Sequence, residues 1–244
     1  MCTVTFLPGK DGILLTSNRD EKQYRSLALI PHSYSNYLGK VLYPRDPDGG
    51  GTWIAVHENR NAIVFLNGGF EGHQPNPPYR RSRGLILLDL LACERPSVVF
   101  KDLSLADVEP FTAVIWEANE LLTCVWDGND KHRVHMDPLK PHIWSSSTLY
   151  THQVREKRAS WFTEWLSEGG AYEMDSIMDF HRFGGEGDAH NDLLMNRAGK
   201  VFTVSITGLE ISADKARMVY HDLREEKKYA RELAFSLDQP GTIV

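Results

Sequence analysis

The sequence predicts an α+β protein built on antiparallel sheets. Apolar runs of strand length come in pairs joined by short turns, and strands, helix, strands, helices and strands follow one another in blocks. The regular strand–helix alternation of a parallel, doubly wound sheet is missing. The 244 residues, 41% hydrophobic and 25% charged, suffice to bury a substantial core and are too apolar for a disordered chain. One domain over residues 1–244 is expected, because no linker, internal repeat or low-complexity tract divides the sequence.

Residues 2–7 are β-branched and apolar, residues 8–12 carry turn chemistry, and residues 13–17 resume a strand, which makes a hairpin. Asp46-Pro47-Asp48-Gly49-Gly50-Gly51 is a loop. Residues 52–56 and 62–66, split by Glu58-Asn59-Arg60-Asn61, form a second hairpin. Residues 68–78, rich in Pro and Gly, make a long surface loop of the kind that binds or covers ligands. Ser82-Arg83-Gly84 opens a helix over 85–93 that is apolar almost all round and therefore buried on most sides. Residues 111–116, 121–126 and 131–136 read as a meander with a turn at Asp127-Gly128-Asn129-Asp130. Residues 151–168 form an amphipathic helix whose apolar face holds Val154, Trp161, Phe162, Trp165 and Leu166. A helix over 174–183 stops at Gly184-Gly185-Glu186-Gly187. Residues 201–209 and 215–221 are strands, and the charged stretch 223–233 is expected to be helical.

Composition narrows the function. A charge of −6, from 27 Lys and Arg against 33 Asp and Glu, argues against a nucleic-acid binder. The longest apolar runs are too short for an integral membrane segment and the start lacks a basic leader, so a cytoplasmic protein is expected. Cys2, Cys93 and Cys124 are too few and too irregular for a disulfide framework or a zinc site, and they fit a reducing compartment. His181, Glu186, Asp188, His190 and Asp192 cluster in the sequence without the spacing of a metal site, so neither metal nor cofactor is expected. Arg80, Arg81 and Arg83 stand where the amides and dipole of a helix start favour a carboxylate, propionate or phosphate.

The most informative residue is Cys2. Methionine is normally removed ahead of a residue this small, and such removal would make Cys2 the first of the mature chain. Its α-amine, with a pKa of roughly 7.7–8.0, then stands beside a thiol of roughly 8.5, so one residue supplies both base and nucleophile. The hairpin returns Ser17, Asn18, Arg19 and Asp20 to its neighbourhood. Arg19 would stabilise the thiolate and Asp20 the ammonium. A regular strand points these two to opposite faces, so both meet Cys2 only if the strand ends or bulges there.

Met1-Cys2-Thr3-Val4-Thr5-Phe6 followed by Asn18-Arg19-Asp20-Glu21 resembles the NRDE-motif family, also called the transport and Golgi organisation family. Gly50-Gly51-Thr52-Trp53-Ile54-Ala55, Leu66-Asn67 and Ser82-Arg83-Gly84 agree with it, and the motifs are clear over residues 1–92. This family is similar to the N-terminal-nucleophile (Ntn) hydrolases, whose cysteine branch cleaves amides such as conjugated bile acids and penicillin V. The resemblance therefore implies a four-layer αββα sandwich of two mainly antiparallel sheets. It also implies Cys2 as nucleophile, Arg19 and Asp20 as its polar partners and Asn67 as oxyanion donor. In the bile-salt-hydrolase branch the Arg and Asp are separated by two residues. Here they are adjacent, so Asp20 and Glu21 both remain candidates for the acid. That branch also has a later asparagine, for which Ser146 within Trp144-Ser145-Ser146-Ser147 is the best match. Family members are also discussed as handlers of haem or acyl-CoA lipids without hydrolysis. Two functions follow from the resemblance: a cysteine amidohydrolase acting on a linear amide of a small amphipathic anion, or a non-catalytic intracellular carrier of haem or acyl-CoA. Either would use Asn18, Glu21, Arg80, Arg81, Arg83 and Ser146 to bind. The oligomeric state is left open.

Overall fold

The opening hairpin forms where the turn chemistry puts it: β1 (Thr3–Pro8) and β2 (Gly12–Lys22) pair antiparallel, with Val4 opposite Ser17 and Pro8 opposite Ile13. The computed structural model describes residues 3–36 and 39–235. After β2 come β3 (Leu29–Asn36), β4 (Gly39–Arg45), β5 (Ile54–His57) and β6 (Ala62–Asn67). Two helices follow, α1 (Arg83–Leu91) and α2 (Pro96–Asp102). The meander is β7 (Phe111–Glu117), β8 (Glu120–Trp126) and β9 (Lys131–Met136), and β10 (His142–Ser145) comes next. Then come α3 (His152–Ser167), α4 (Met174–Phe183) and the short β11 (Asn196–Arg197). The chain closes with β12 (Val201–Ser212), β13 (Lys215–Asp222) and β14 (Lys227–Ala234).

One sheet runs β10-β1-β2-β12-β13-β14 with β11 against β12; the other runs β3 to β9 in chain order. The central strands are apolar on both faces, and alternation sorts their side chains into layers. Val4, Phe6, Leu15 and Leu209 of the first sheet meet Val56, Val64, Leu66 and Val114 of the second, which makes the core between the sheets. Leu7, Leu14 and Ile206 point the other way and meet Phe162 of α3 and Ile177 and Phe180 of α4. On the far side, Ile63, Phe65 and Ile115 meet Ile86, Leu87 and Leu90 of α1 and Phe100 of α2. The result is the four-layer αββα sandwich. Among the described residues, no helix is long and apolar enough to cross a membrane.

The expected helix over 223–233 is a correction: β14 lies there instead. Lys215↔Ala234 through Asp222↔Lys227 pair in register, and Leu233 and Tyr229 pack on the inter-sheet core while the charged side chains line the edge. A helix would have left the β13 backbone unpaired, and a charged edge is how sheets discourage further pairing. The strands β3, β4 and β10 and the helix α2 carry no clean periodicity and were not expected. The helix expected over 85–93 starts at Arg83 and is covered mainly on one side; Leu85, Leu88 and Cys93 are only half-buried.

The Gly-Gly-Thr-Trp and Ser-Arg-Gly motifs are two sides of one contact. A Cβ on Gly51 would lie 2.2 Å from the carbonyl carbon of Gly84, and one on Gly84 would lie 2.8 Å from the Thr52 nitrogen. The 46–53 loop thus presses backbone to backbone on the first turn of α1. Gly51→Ala is expected to cost about 1–3 kcal/mol, because neither backbone can yield. A thermal midpoint equal to that of the parent would contradict this.

Candidate functional site

The NRDE segment sits inside β2, which runs on to Lys22 without ending there; the irregularity lies across the pair, in β12 between Thr203 and Ser205. Alternation therefore splits the motif. Arg19 and Glu21 face the space at the end of the inter-sheet layer, while Asn18 and Asp20 face the helices.

On the inner face, the Arg19 guanidinium lies 4.7 Å over the Trp53 ring, 3.4 Å from Asp46 and 4.0 Å from Glu21. Arg25 donates to Glu21 at 2.9 Å and pairs with Asp46, so cations and anions alternate along the wall. This wall bounds a cavity of about 450 Å³, to which Arg19, Arg25, Arg81 and Arg83 contribute cations and Glu21, Asp46 and Glu109 contribute anions. Asn67, the last residue of β6, also lines it. Arg83 lies 2.9 Å from Glu109 and donates to the Pro110 carbonyl; Arg81 lies 2.7 Å from Asp89. Arg80 is directed elsewhere, donating to the carbonyls of Ser104 and Ala106. The three arginines expected to act together thus divide: two line the cavity and one ties down the 104–106 segment.

The start of β1 is linked to the Asn67 wall of this cavity through the end of β10. Thr3 pairs with Ser145, and the next residue, Ser146, donates its hydroxyl to the Asn67 carbonyl at 2.7 Å. Ser146 is buried and does not line the cavity. Cys2 lies outside the described residues.

The outer face of β2 holds a second polar set. Asn18 donates to the carbonyls of His181 (3.1 Å) and Leu193 (2.7 Å), and its side-chain oxygen meets His181 Nδ1. His181 Nε2 bonds Thr5 at 2.8 Å. Asp20 accepts from the Tyr150 hydroxyl at 2.5 Å and from Thr203 at 2.7 Å. The fully buried Arg158 stacks 3.6 Å over the Tyr150 ring, donates to the carbonyls of Asn191 and Asp192, and bonds Thr3. Asn18 and Asp20 are therefore brought to the helix layer, away from the cavity. Tyr150 and Arg158 were missed, because a buried arginine on a surface-patterned helix leaves no periodic signal. His181 does not join the loop cluster either. Asp192 instead accepts from the Glu186 and Gly187 amides, and no group of metal-ligating side chains forms among the described residues.

Burial, helped by the charge of Arg158, pushes His181 down to about 3. Burial, then Asp20, holds Tyr150 well above its usual value, and burial pushes the Cys124 thiol up to about 12. Cys124 is thus an inert thiol at neutral pH. For His181 the unfolded chain, with a pKa near 6.5, binds a proton that the fold refuses. Its contribution to stability is full above about pH 6.5 and is lost as pH falls towards the folded value. The slope is on the order of 1 kcal/mol per pH unit. His181→Gln is expected to flatten the rise of unfolding free energy between about pH 4 and 6.5. An unchanged slope in denaturant titrations would assign it to other groups.

The family model described as Transport and Golgi organisation 2 matches residues 1–182. The chain superposes on a mutant of the conjugated bile acid hydrolase from Clostridium perfringens with a TM-score of 0.60 at 12% identity, covering 100% of this chain and 99% of that one. It superposes on the Caenorhabditis elegans ortholog of N-acylethanolamine-hydrolyzing acid amidase with a TM-score of 0.56 at 10% identity, covering 85% and 92%. At these identities the likeness is one of fold. A search of the curated proteins by sequence finds no match.

Proposed function

The chain belongs to the Transport and Golgi organisation 2 family and has the Ntn-hydrolase fold, and from there we propose that it is a cysteine hydrolase of the Ntn type, cleaving a linear amide of a small amphipathic anion. The observation that carries the reading is that Arg19 and Asn67 line one cavity, with the Asn67 carbonyl bonded to Ser146, the residue after the β10 position that pairs with Thr3 at the start of β1.

In this reading the Cys2 sulfur attacks the amide carbon and a C–S bond forms while the thiol proton passes to the residue's own α-amine. Asn67 donates to the oxyanion, and Ser146, bonded to the Asn67 carbonyl, keeps that residue in place. The C–N bond then breaks and the proton leaves with the amine. Water, deprotonated by the same α-amine, attacks the thioester and releases the acid and the thiol. Glu21, paired with Arg19 and Arg25, is the carboxylate on the cavity side, and Asp20, bonded to Tyr150 and Thr203 in the helix layer, supports the strand that carries Arg19. Arg81 and Arg83 receive the anionic group of the substrate.

The reading requires a free amine on Cys2. Intact mass is expected to show Met1 removed, and a retained Met1 would exclude the mechanism. The surplus of arginine over carboxylate in the lining favours a second reading, an anion carrier for haem or acyl-CoA that needs no nucleophile.

A further inference from the structure

A separate cavity of about 260 Å³ lies at the β10 edge of the first sheet. Leu66 of β6 lines it, whereas the next residue, Asn67, lines the cavity described above, and the two share no lining residue. Its walls are apolar: Leu66 and Val125 are buried, and Phe70, Ile143 and Trp144 complete them. One lining side chain is charged, Arg155 of α3, and none is acidic. Arg155 is half-buried and makes no ion pair with a carboxylate among the described residues. Its Nη1 donates to the Phe70 carbonyl at 3.0 Å, and its Nε is buried without an acceptor. Asp127, which stands against Gly69 of the lining, is taken up by the amides of Asn129 and Asp130 and by His132. Thr123 of β8 is a second orphan: the residue is 9% exposed and its hydroxyl has no partner. The other hydroxyls of the wall are engaged, Thr112 with the Gly68 carbonyl and Ser145 with Thr3. Buried donors normally find acceptors, so two orphans on one apolar cavity point to an acceptor that arrives from outside.

We infer that this cavity binds a small apolar carboxylate, its acid group on the Nε–Nη2 edge of Arg155 and its hydrocarbon against Leu66, Val125 and Trp144. With Nη1 committed to Phe70, the edge left over carries two parallel N–H donors, which match the two oxygens of a carboxylate. One guanidinium with no acid beside it balances a single negative charge. A phosphomonoester brings nearly two and leaves the second unmatched. An amino acid would carry its ammonium into a wall that holds no carboxylate to meet it. The volume lies below the range of roughly 300–1,000 Å³ that suits drug-sized ligands, so the occupant is a short chain or a single ring. The proposal stands or falls apart from the hydrolase reading, because Arg155 and the apolar wall take no part in that chemistry.

The test is a titration of the full chain with hexanoate, followed by calorimetry and by the Arg155 Nε–H and Trp144 indole N–H signals. Its controls are hexanamide, the neutral isostere, and hexyl phosphate. Hexanoate is expected to shift both signals at millimolar concentration or below, and hexanamide to bind at least about tenfold more weakly. Arg155→Gln, on a half-buried helix position, is expected to reduce hexanoate to the affinity of hexanamide. Arg155→Lys keeps the charge without the planar edge and is expected to lose at least about threefold. Equal binding of hexanoate and hexanamide would overturn the proposal, as would the absence of any shift or an unchanged affinity in Arg155→Gln. Tighter binding of hexyl phosphate than of hexanoate would overturn it in favour of a phosphate site.

Discussion

Cys2→Ala is expected to reduce amide turnover by about four to six orders of magnitude while leaving the affinity for the anionic product within a few-fold of the parent. The nucleophile is the one group the covalent route cannot replace, because the remaining donors bind the transition state but form no bond to it. Arg19 and the arginines at the start of α1 stay in place in such a variant, since Arg19 is held by Trp53, Asp46 and Glu21. The measurement is single-turnover release of amine from a panel of linear amides, with intact mass to trap the acylated chain. Turnover retained in Cys2→Ala would remove the hydrolase reading. A parent chain that binds haem or acyl-CoA tightly, turns over no amide and is unaffected by the substitution would establish the carrier.

Asp20→Ala is expected to cost about 3–5 kcal/mol of stability, in the range seen when one member of a buried charged set is removed. Asp20 is fully buried and accepts from Tyr150 and Thr203; Tyr150 loses its acceptor, and Thr203 keeps only the longer bond to the Leu193 carbonyl. Tyr150, which donates to this carboxylate, also carries the buried Arg158 guanidinium over its ring at 3.6 Å. For a chain of this length the thermal midpoint should fall by roughly 6–20 °C. Tyr150→Phe should cost less, about 1–3 kcal/mol, since it leaves the carboxylate one remaining partner in Thr203. Glu21→Gln, on the cavity side, should instead change ligand affinity with little effect on melting. If Asp20→Ala melts like the parent yet loses ligand or turnover, Asp20 belongs to the site rather than to its support.

The two arms of this comparison come from one strand. The sequence marks Asn18-Arg19-Asp20-Glu21 as special, and period-two alternation separates Arg19 from Asp20 wherever the strand continues. Whether it continues past Arg19 depends on β12, which pairs with β2 as far as Lys22 and takes up the mismatch itself between Thr203 and Ser205. No pattern within residues 12–22 reports on that distant partner. The tail shows the same limit. Residues 223–233 look helical by charge, and the open edge of β13 makes them a strand.

What the sequence determined alone rests on neighbours in the chain. That covers the first hairpin with its Pro8–Gly12 turn, the meander closed by Asp127–Asp130, and the helix over 174–183 ended by glycines. Only the tertiary structure decided which of four consecutive polar residues look into the cavity and which hold α3 and α4. It also decided that Arg80 leaves the group formed by Arg81 and Arg83, and that Thr5 meets His181 and Asp20 meets Tyr150. The physical reason is that buried polar groups must find partners wherever packing supplies them. For Thr5 and Asp20 those partners stand more than a hundred residues away, and for Arg80 more than twenty, beyond the reach of any local period.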